Sequence, residues 1–193
     1  MENYLSSSLI FSSDKITGKF QEYGDEEIPI MMSWEDPIMS ASAAYVTQNG
    51  GDILEIGFGM GISAGYMHSH SIDSHTIVEN HPDIIPKAVE WANDKSNVTI
   101  ISQSWYDVKD SLGTFDGIFF DIFGDMNYSD FSSSVGNWTK NGTKLTFWND
   151  ADREMNTQNI ETTYKQINIT APNSASLYFR TGSVVYFMPM KEF

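Results

Sequence analysis

Three glycines at alternate positions in Glu55-Ile-Gly57-Phe-Gly59-Met-Gly61 form the pattern in this sequence most able to do chemistry. An apolar strand-like run leads into them and a helical run follows. Glycine permits the sharp turn and the close backbone approach that a ligand needs at this edge of an open α/β sheet. The dinucleotide fingerprint requires its third glycine at position 62, where Ile62 stands, and no Gly-Lys-Ser/Thr follows to make a phosphate loop. The ligand expected is therefore neither a dinucleotide nor a nucleoside triphosphate. Glu55, two residues before the first glycine, suits a ligand bearing an ammonium group, such as the amino-acid end of S-adenosylmethionine. Glu79 closes the next strand-like run, at the separation where nucleotide-binding α/β domains place a carboxylate on ribose hydroxyls. Trp105, after a third such run, offers a wall for an adenine. Each feature also has a plain reading: a tight turn with no ligand, a solvated strand-end acid, a core aromatic.

The elements that must position these residues alternate regularly from residue 52. Strands are expected at residues 52–56, 75–79, 98–102, 115–121 and 143–148. Helices are expected at residues 62–70 and from Pro82 through Ala92, where Ile84, Ile85, Ala88, Val89 and Ala92 recur at helical spacing and Asp83 and Lys87 form an i,i+4 pair. Strands separated by helices imply right-handed crossovers and a mostly parallel sheet covered on both faces, a Rossmann-like α/β fold. The end of the chain differs, since residues 176–180 and 183–190 are β-rich runs separated by Thr181-Gly182 and read as a final antiparallel pair. The aromatics Tyr178, Phe179, Tyr186 and Phe187 are expected to pack those strands. Residues 9–20 look extended, and Asp36-Pro37 is a cap and first-turn signal for a helix reaching about Thr47. With 193 residues, one domain is expected over 1–193, with residues 1–50 as a cap over the carboxyl edge of a core at 51–193.

Bulk composition narrows the partners. The chain has 26 acidic and 11 basic residues and a net charge of −15, a field that repels phosphate backbones and anionic lipids and draws small cations. Nucleic acid and membrane partners are not expected. With no cysteine, thiol catalysis is excluded, and no Gly-x-Ser-x-Gly elbow presents a nucleophilic serine. His68 and His70 are two apart on a predicted helix and face different ways, and His75 and His81 lack partners at ligand spacing, so no metal is expected. The opening residues carry neither a secretory nor a membrane-spanning pattern, which points to a cytoplasmic protein, monomer or homodimer.

Five blocks taken together are more specific than the glycine turn. Met31-Met-Ser-Trp-Glu-Asp-Pro-Ile-Met39, Leu54-Glu-Ile-Gly-Phe-Gly-Met-Gly-Ile62, Val78-Glu-Asn-His-Pro-Asp83, Ser104-Trp-Tyr-Asp-Val108 and Phe115-Asp-Gly-Ile-Phe-Phe-Asp121 resemble, in order, the guanidinoacetate N-methyltransferases and the related fungal arginine δ-N-methyltransferases. The resemblance covers roughly residues 30–150 and implies a class I methyltransferase fold with S-adenosylmethionine as cofactor. It implies that the turn at Gly57, Gly59 and Gly61 cradles the cofactor, that Glu79 binds its ribose, and that Ser104 and Trp105 border its adenine. Glu35 and Asp121 would grip a substrate guanidinium, with Asp121 also beside the cofactor. The loop after the fifth strand, residues 149–152, would border the substrate. The substrate implied is a small guanidino compound. An arginine in a protein, another amine, or a cofactor-binding module without catalysis are the alternatives.

Overall fold

The computed structural model describes residues 4–20, 26–123, 128–149, 160–172 and 182–193. Its frame is a sheet whose central strands are continuous apolar runs, as burial from both sides demands. Strands β4 (Asp52–Ile56), β5 (Ser74–Val78), β6 (Val98–Ile101), β7 (Phe115–Phe120) and β8 (Thr139–Phe147) pair in parallel, while β10, the last strand (Gly182–Glu192), joins β8 antiparallel and β9 (Thr163–Ala171) joins β10 antiparallel. The strand order is β6-β5-β4-β7-β8-β10-β9. Helices α2 (Ile62–His68), α3 (Ile85–Ala92), α4 (Trp105–Val108) and α5 (Tyr128–Ser134) lie between the parallel strands.

Alternation along the strands gives each face its own core. Leu54, Ile56, Ile118, Phe120, Leu145 and Phe147 pack with Trp105, Phe131 and Trp138 on one face. Ile53 and Phe119 pack on the other with Met39, Ala43 and Val46 of helix α1 (Asp36–Val46), and Ile169, Tyr186 and Met188 of the last two strands complete that layer. Helix α1 lies very close to the sheet. A Cβ at Gly117 would collide with the backbone carbonyl of Val46, so only glycine lets this helix rest on β7.

Ahead of α1, strands β1 (Ile10–Phe11), β2 (Lys15–Lys19) and β3 (Glu27–Met32) form a small antiparallel sheet, and a 3₁₀ turn over Ser33–Glu35 joins it to the helix. This sheet sits against the turns that follow β4 and β5. Leu9 N–H donates to Asp83 Oδ2 at 2.8 Å, the Tyr4 carbonyl lies 3.0 Å from His81 Nε2, and Met60 N–H reaches Met31 Sδ at 3.1 Å. Among the described residues no helix is long and apolar enough to cross a membrane.

The mostly parallel sheet with flanking helices and a terminal antiparallel pair is the expected one, with local corrections. The strand paired with β10 is β9, earlier in the chain than the expected partner at residues 176–180, which lies outside the described residues together with Tyr178 and Phe179. The helix expected from Pro82 begins at Ile85, with Pro86 in its first turn. Asp83 and Lys87 are not a pair, because Asp83 takes the Leu9 amide and the Lys87 ammonium lies 4.2 Å over the Phe11 ring. Asp36 is the first residue of α1 rather than its cap, and its carboxylate accepts the Tyr66 hydroxyl at 3.0 Å.

Candidate active site

The glycine turn is built where three strand ends meet. β4 runs out at Ile56, and Gly57 turns with φ of 94°, its N–H bonded to the Val78 carbonyl at 2.9 Å. A Cβ on Gly57 would strike the Asp121 carbonyl oxygen, so glycine is required by the conformation and by the approach of the β7 end. Asp121 is fixed there, its N–H donating to the Ile56 carbonyl at 2.9 Å. A Cβ on Gly59 would meet Met31 Sδ, which packs β3 against the turn.

Glu79 latches this turn to the end of β5. Its Oε2 accepts the Phe58 N–H at 3.0 Å, and Oε1 accepts the Asn80 and His81 N–H groups at 2.8 Å each. A carboxylate offers about four acceptor positions, so one on Oε2 remains for a hydroxyl. The buried Tyr4 lies close by, its ring 4.6 Å from that of His81. Burial and the Glu79 charge together push the Tyr4 phenol well above its ordinary range.

Glu35 ends the 3₁₀ turn before α1, buried, with Oε1 accepting the Met32 N–H at 2.8 Å. Removal from water raises its pKa well above the usual carboxylate range, the negative charge of Asp121 raises it further, and the Met32 N–H opposes both. The charge of Asp121 thus reaches Glu35, one carboxylate coming from the segment before α1 and the other from the end of β7. A pair of this kind, one member buried, is relieved by a planar cation that both can bind.

The other expected residues fall differently. Ser104 caps α4, its hydroxyl accepting the Tyr106 N–H at 3.3 Å. Trp105 is buried, edge-on to Phe120 and Trp138 with ring centroids 5.3 and 6.1 Å away, so most of its indole lies beneath the site. Glu55 is fully buried below the turn, with Ser63 Oγ donating to Oε1 and His75 Nε2 standing 3.0 Å from Oε2. The structure thus brings Glu35, Asp121, Glu79 and the three glycines to one edge and holds Glu55 in the core. Asn149 is buried, its N–H donating to the Tyr186 hydroxyl at 2.9 Å; residues 150–152 of the expected substrate loop lie outside the described residues. Sequence reasoning missed Met31, Tyr4, Ser63 and His75. Met31 stood inside the quoted Trp-Glu block, whereas Tyr4 reaches the site only through tertiary packing. Among the described residues no group of three His, Asp or Glu could hold a metal ion.

The family model for guanidinoacetate N-methyltransferase matches residues 21–171. Protein arginine N-methyltransferase 2 of Aspergillus fumigatus is 36% identical over 135 residues, which are 66% of this chain and 30% of that protein. Its counterpart from Saccharomyces cerevisiae is 32% identical over 138 residues, 66% of this chain and 32% of that protein. The match spans less than a third of either relative's length. Among solved structures, spermidine synthase from Thermotoga maritima superposes with a TM-score of 0.63 at 12% identity, over 95% of this chain and 72% of that one. The N-methyltransferase NodS from Bradyrhizobium japonicum WM9, in complex with S-adenosyl-L-homocysteine, gives 0.61 at 14% identity, over 82% and 87%. At such identities these likenesses show the fold, which is Rossmann-like. The match over residues 21–171 shows the family: this chain belongs to the guanidinoacetate N-methyltransferases.

Proposed function

We propose that the chain is an S-adenosylmethionine-dependent N-methyltransferase whose acceptor is a small guanidino compound, gripped by Glu35 and Asp121. The observation that carries this reading is the placement of the two carboxylates: Glu35 is buried and held by the Met32 N–H, Asp121 is fixed to the Ile56 carbonyl against Gly57, and the charge of Asp121 bears on Glu35. The donor fits the residues present: the turn leaves no side chain on its glycines, and Glu79 keeps one acceptor position for a ribose hydroxyl. Ser104 and the rim of Trp105 border the adenine in this reading. The described part of residues 1–50 is the cap, supported by the contacts of Tyr4, Leu9 and Met31 with the turns after β4 and β5.

A guanidinium has a pKa of about 12.5 to 13.8, so the acceptor arrives protonated and with its nitrogen lone pairs delocalised. Glu35 and Asp121 bind its planar fork, aim one nitrogen at the turn, and neutralise the charge that sets the two carboxylates against each other. Bound S-adenosylmethionine supplies a methyl on a positively charged sulfur, whose bonding pair stays with sulfur as the new N–C bond forms. The nitrogen then carries one proton too many, and a carboxylate of the pair accepts it. The excess of acidic side chains favours a cationic acceptor over nucleic acid.

A second reading is favoured by one observation. The curated relatives are named protein arginine N-methyltransferase 2, and an arginine side chain in a protein presents the same guanidinium. The test is to incubate the chain with S-adenosylmethionine and guanidinoacetate, free arginine or an arginine-rich protein, following S-adenosylhomocysteine release and product mass. Release with a small guanidine and a 14 Da gain on it is the expected result, where 14 Da is about the mass of one CH₂ added in the balanced transfer. Release with the protein acceptor alone selects the second reading. Cofactor binding with no release from any acceptor contradicts both.

A further inference from the structure

Resting on the cofactor reading above, we propose that Ser63 and His75 are positioning residues: by binding the buried carboxylate of Glu55 they hold the glycine turn closed and so set its affinity for an adenosyl ligand. Glu55 lies two residues before Gly57, and Ser63 is the second residue of α2, two after Gly61. The bond from Ser63 Oγ to Glu55 Oε1 therefore joins the strand entering the turn to the helix leaving it, across the whole of residues 57–61. His75 faces the same carboxylate from β5, its Nε2 3.0 Å from Oε2, a contact at ion-pair distance without an aligned hydrogen bond between the two atoms. In the parallel register His75 stands opposite Ile53 and Ile77 opposite Glu55, so all four side chains share one face of the sheet. Trp91 of α3 closes over the His75 ring edge-on, with centroids 6.2 Å apart.

The carboxylate is out of reach of solvent, as is the His75 ring, and Ser63 is nearly so. An acid in such a place depends on the few donors it has, because an unpartnered buried oxygen carries its full desolvation cost; Oε1 has the Ser63 hydroxyl, and Oε2 has only the His75 ring at contact distance. Loss of the Ser63 hydroxyl leaves Oε1 seeking another donor. The amides of the turn and of the first turn of α2 are the donors closest in sequence, and their capture would reshape the cradle. Glu55 thus acts through Ser63 and His75 and not through contact with the ammonium group that its position in the sequence suggests.

The test is calorimetric titration of S-adenosylhomocysteine into the full chain and into Ser63→Ala, His75→Leu and His75→Gln, with the KM of the methyl acceptor measured on each. Ser63→Ala and His75→Leu should raise the Kd of S-adenosylhomocysteine roughly tenfold, the order of loss seen when a group that orients a binding residue is removed, with acceptor KM unchanged. His75→Gln, which retains a donor for Oε2, should recover most of the affinity. A merely structural role predicts lower melting temperatures with an unchanged Kd, and that result overturns the proposal. Should His75→Leu fail to fold, Ser63→Ala decides by itself, since it removes one atom. If the parent chain binds no S-adenosylhomocysteine, the cofactor reading falls and this inference with it; if the parent binds and the variants match it, this inference alone falls.

Discussion

A carboxylic acid removed from water and set beside a second carboxylate holds its proton more tightly, and at Glu35 both influences act together. The folded chain therefore retains a proton that the unfolded chain has lost. The stability tied to Glu35 is full below the ordinary glutamate pKa and is lost as pH rises through the higher folded value. Glu35→Gln keeps an acceptor for the Met32 N–H and has no charge to bury, so without ligand it should melt above the parent at alkaline pH, with the difference closing in acid. The same substitution removes half of the guanidinium grip and should lower turnover at least ~100-fold, within the range of about 10²–10⁴ for a positioned acid or base. In the parent, kcat/KM should rise with pH along a limb displaced above the usual glutamate range, because that quantity reports the free enzyme. A melting curve that is no higher for the variant at pH 9 would contradict the account of this residue. At this scale the sequence was informative where a motif met a backbone constraint, as at Gly57 and Gly59, whose positive φ and close neighbours require glycine. At Glu55 proximity to the turn does not fix which way the side chain points; strand alternation and the Ser63 hydroxyl do.

Among the elements, α1 and β7 govern the geometry of the site, since one begins beside Glu35 and the other ends beside Asp121. They meet at Gly117, where the helix backbone leaves no room for a Cβ. Gly117→Ala should push α1 off the sheet, costing about 1–3 kcal/mol as overpacking does, and should move Glu35 relative to Asp121. A fall in melting temperature with a fall in kcat is expected, while S-adenosylhomocysteine binding, which depends on β4 and β5, stays near the parental value. Unchanged kcat in a destabilised variant would show that the two carboxylates are not registered through this contact. The parallel strands were legible because burial from both faces leaves continuous apolar runs. β9 was not, since at the sheet's edge Thr163, Lys165, Gln166, Asn168 and Thr170 dilute the pattern. β3 was missed for a different reason: Glu27-Ile-Pro-Ile-Met-Met32 has a proline in its middle, which its place at the edge of a three-stranded sheet tolerates. The helix at α4 is one turn long, too short for any periodicity to register.

Over the whole molecule the charge of −15 surrounds a site that is itself acidic. A cationic acceptor should be drawn in more efficiently at low salt, where the screening length is about 30 Å at 0.01 M, than at 0.15 M, where it is about 8 Å. The kcat/KM for arginine, which carries a net positive charge, is expected to fall with ionic strength more steeply than that for guanidinoacetate, whose charges cancel. Parallel salt dependence for the two would mean that the field contributes nothing to encounter. The fold could be read from the alternation of strands and helices, and residues 1–50 were expected as a cap, but the contacts that seat this segment could not be read, because they join positions 74, 29 and 77 residues apart in the chain. The most direct test of the central claim is turnover by Asp121→Asn with S-adenosylmethionine and the guanidino acceptor that the parent chain methylates. The account predicts a loss of at least ~100-fold while S-adenosylhomocysteine still binds; release of S-adenosylhomocysteine by that variant at the parental rate would contradict it.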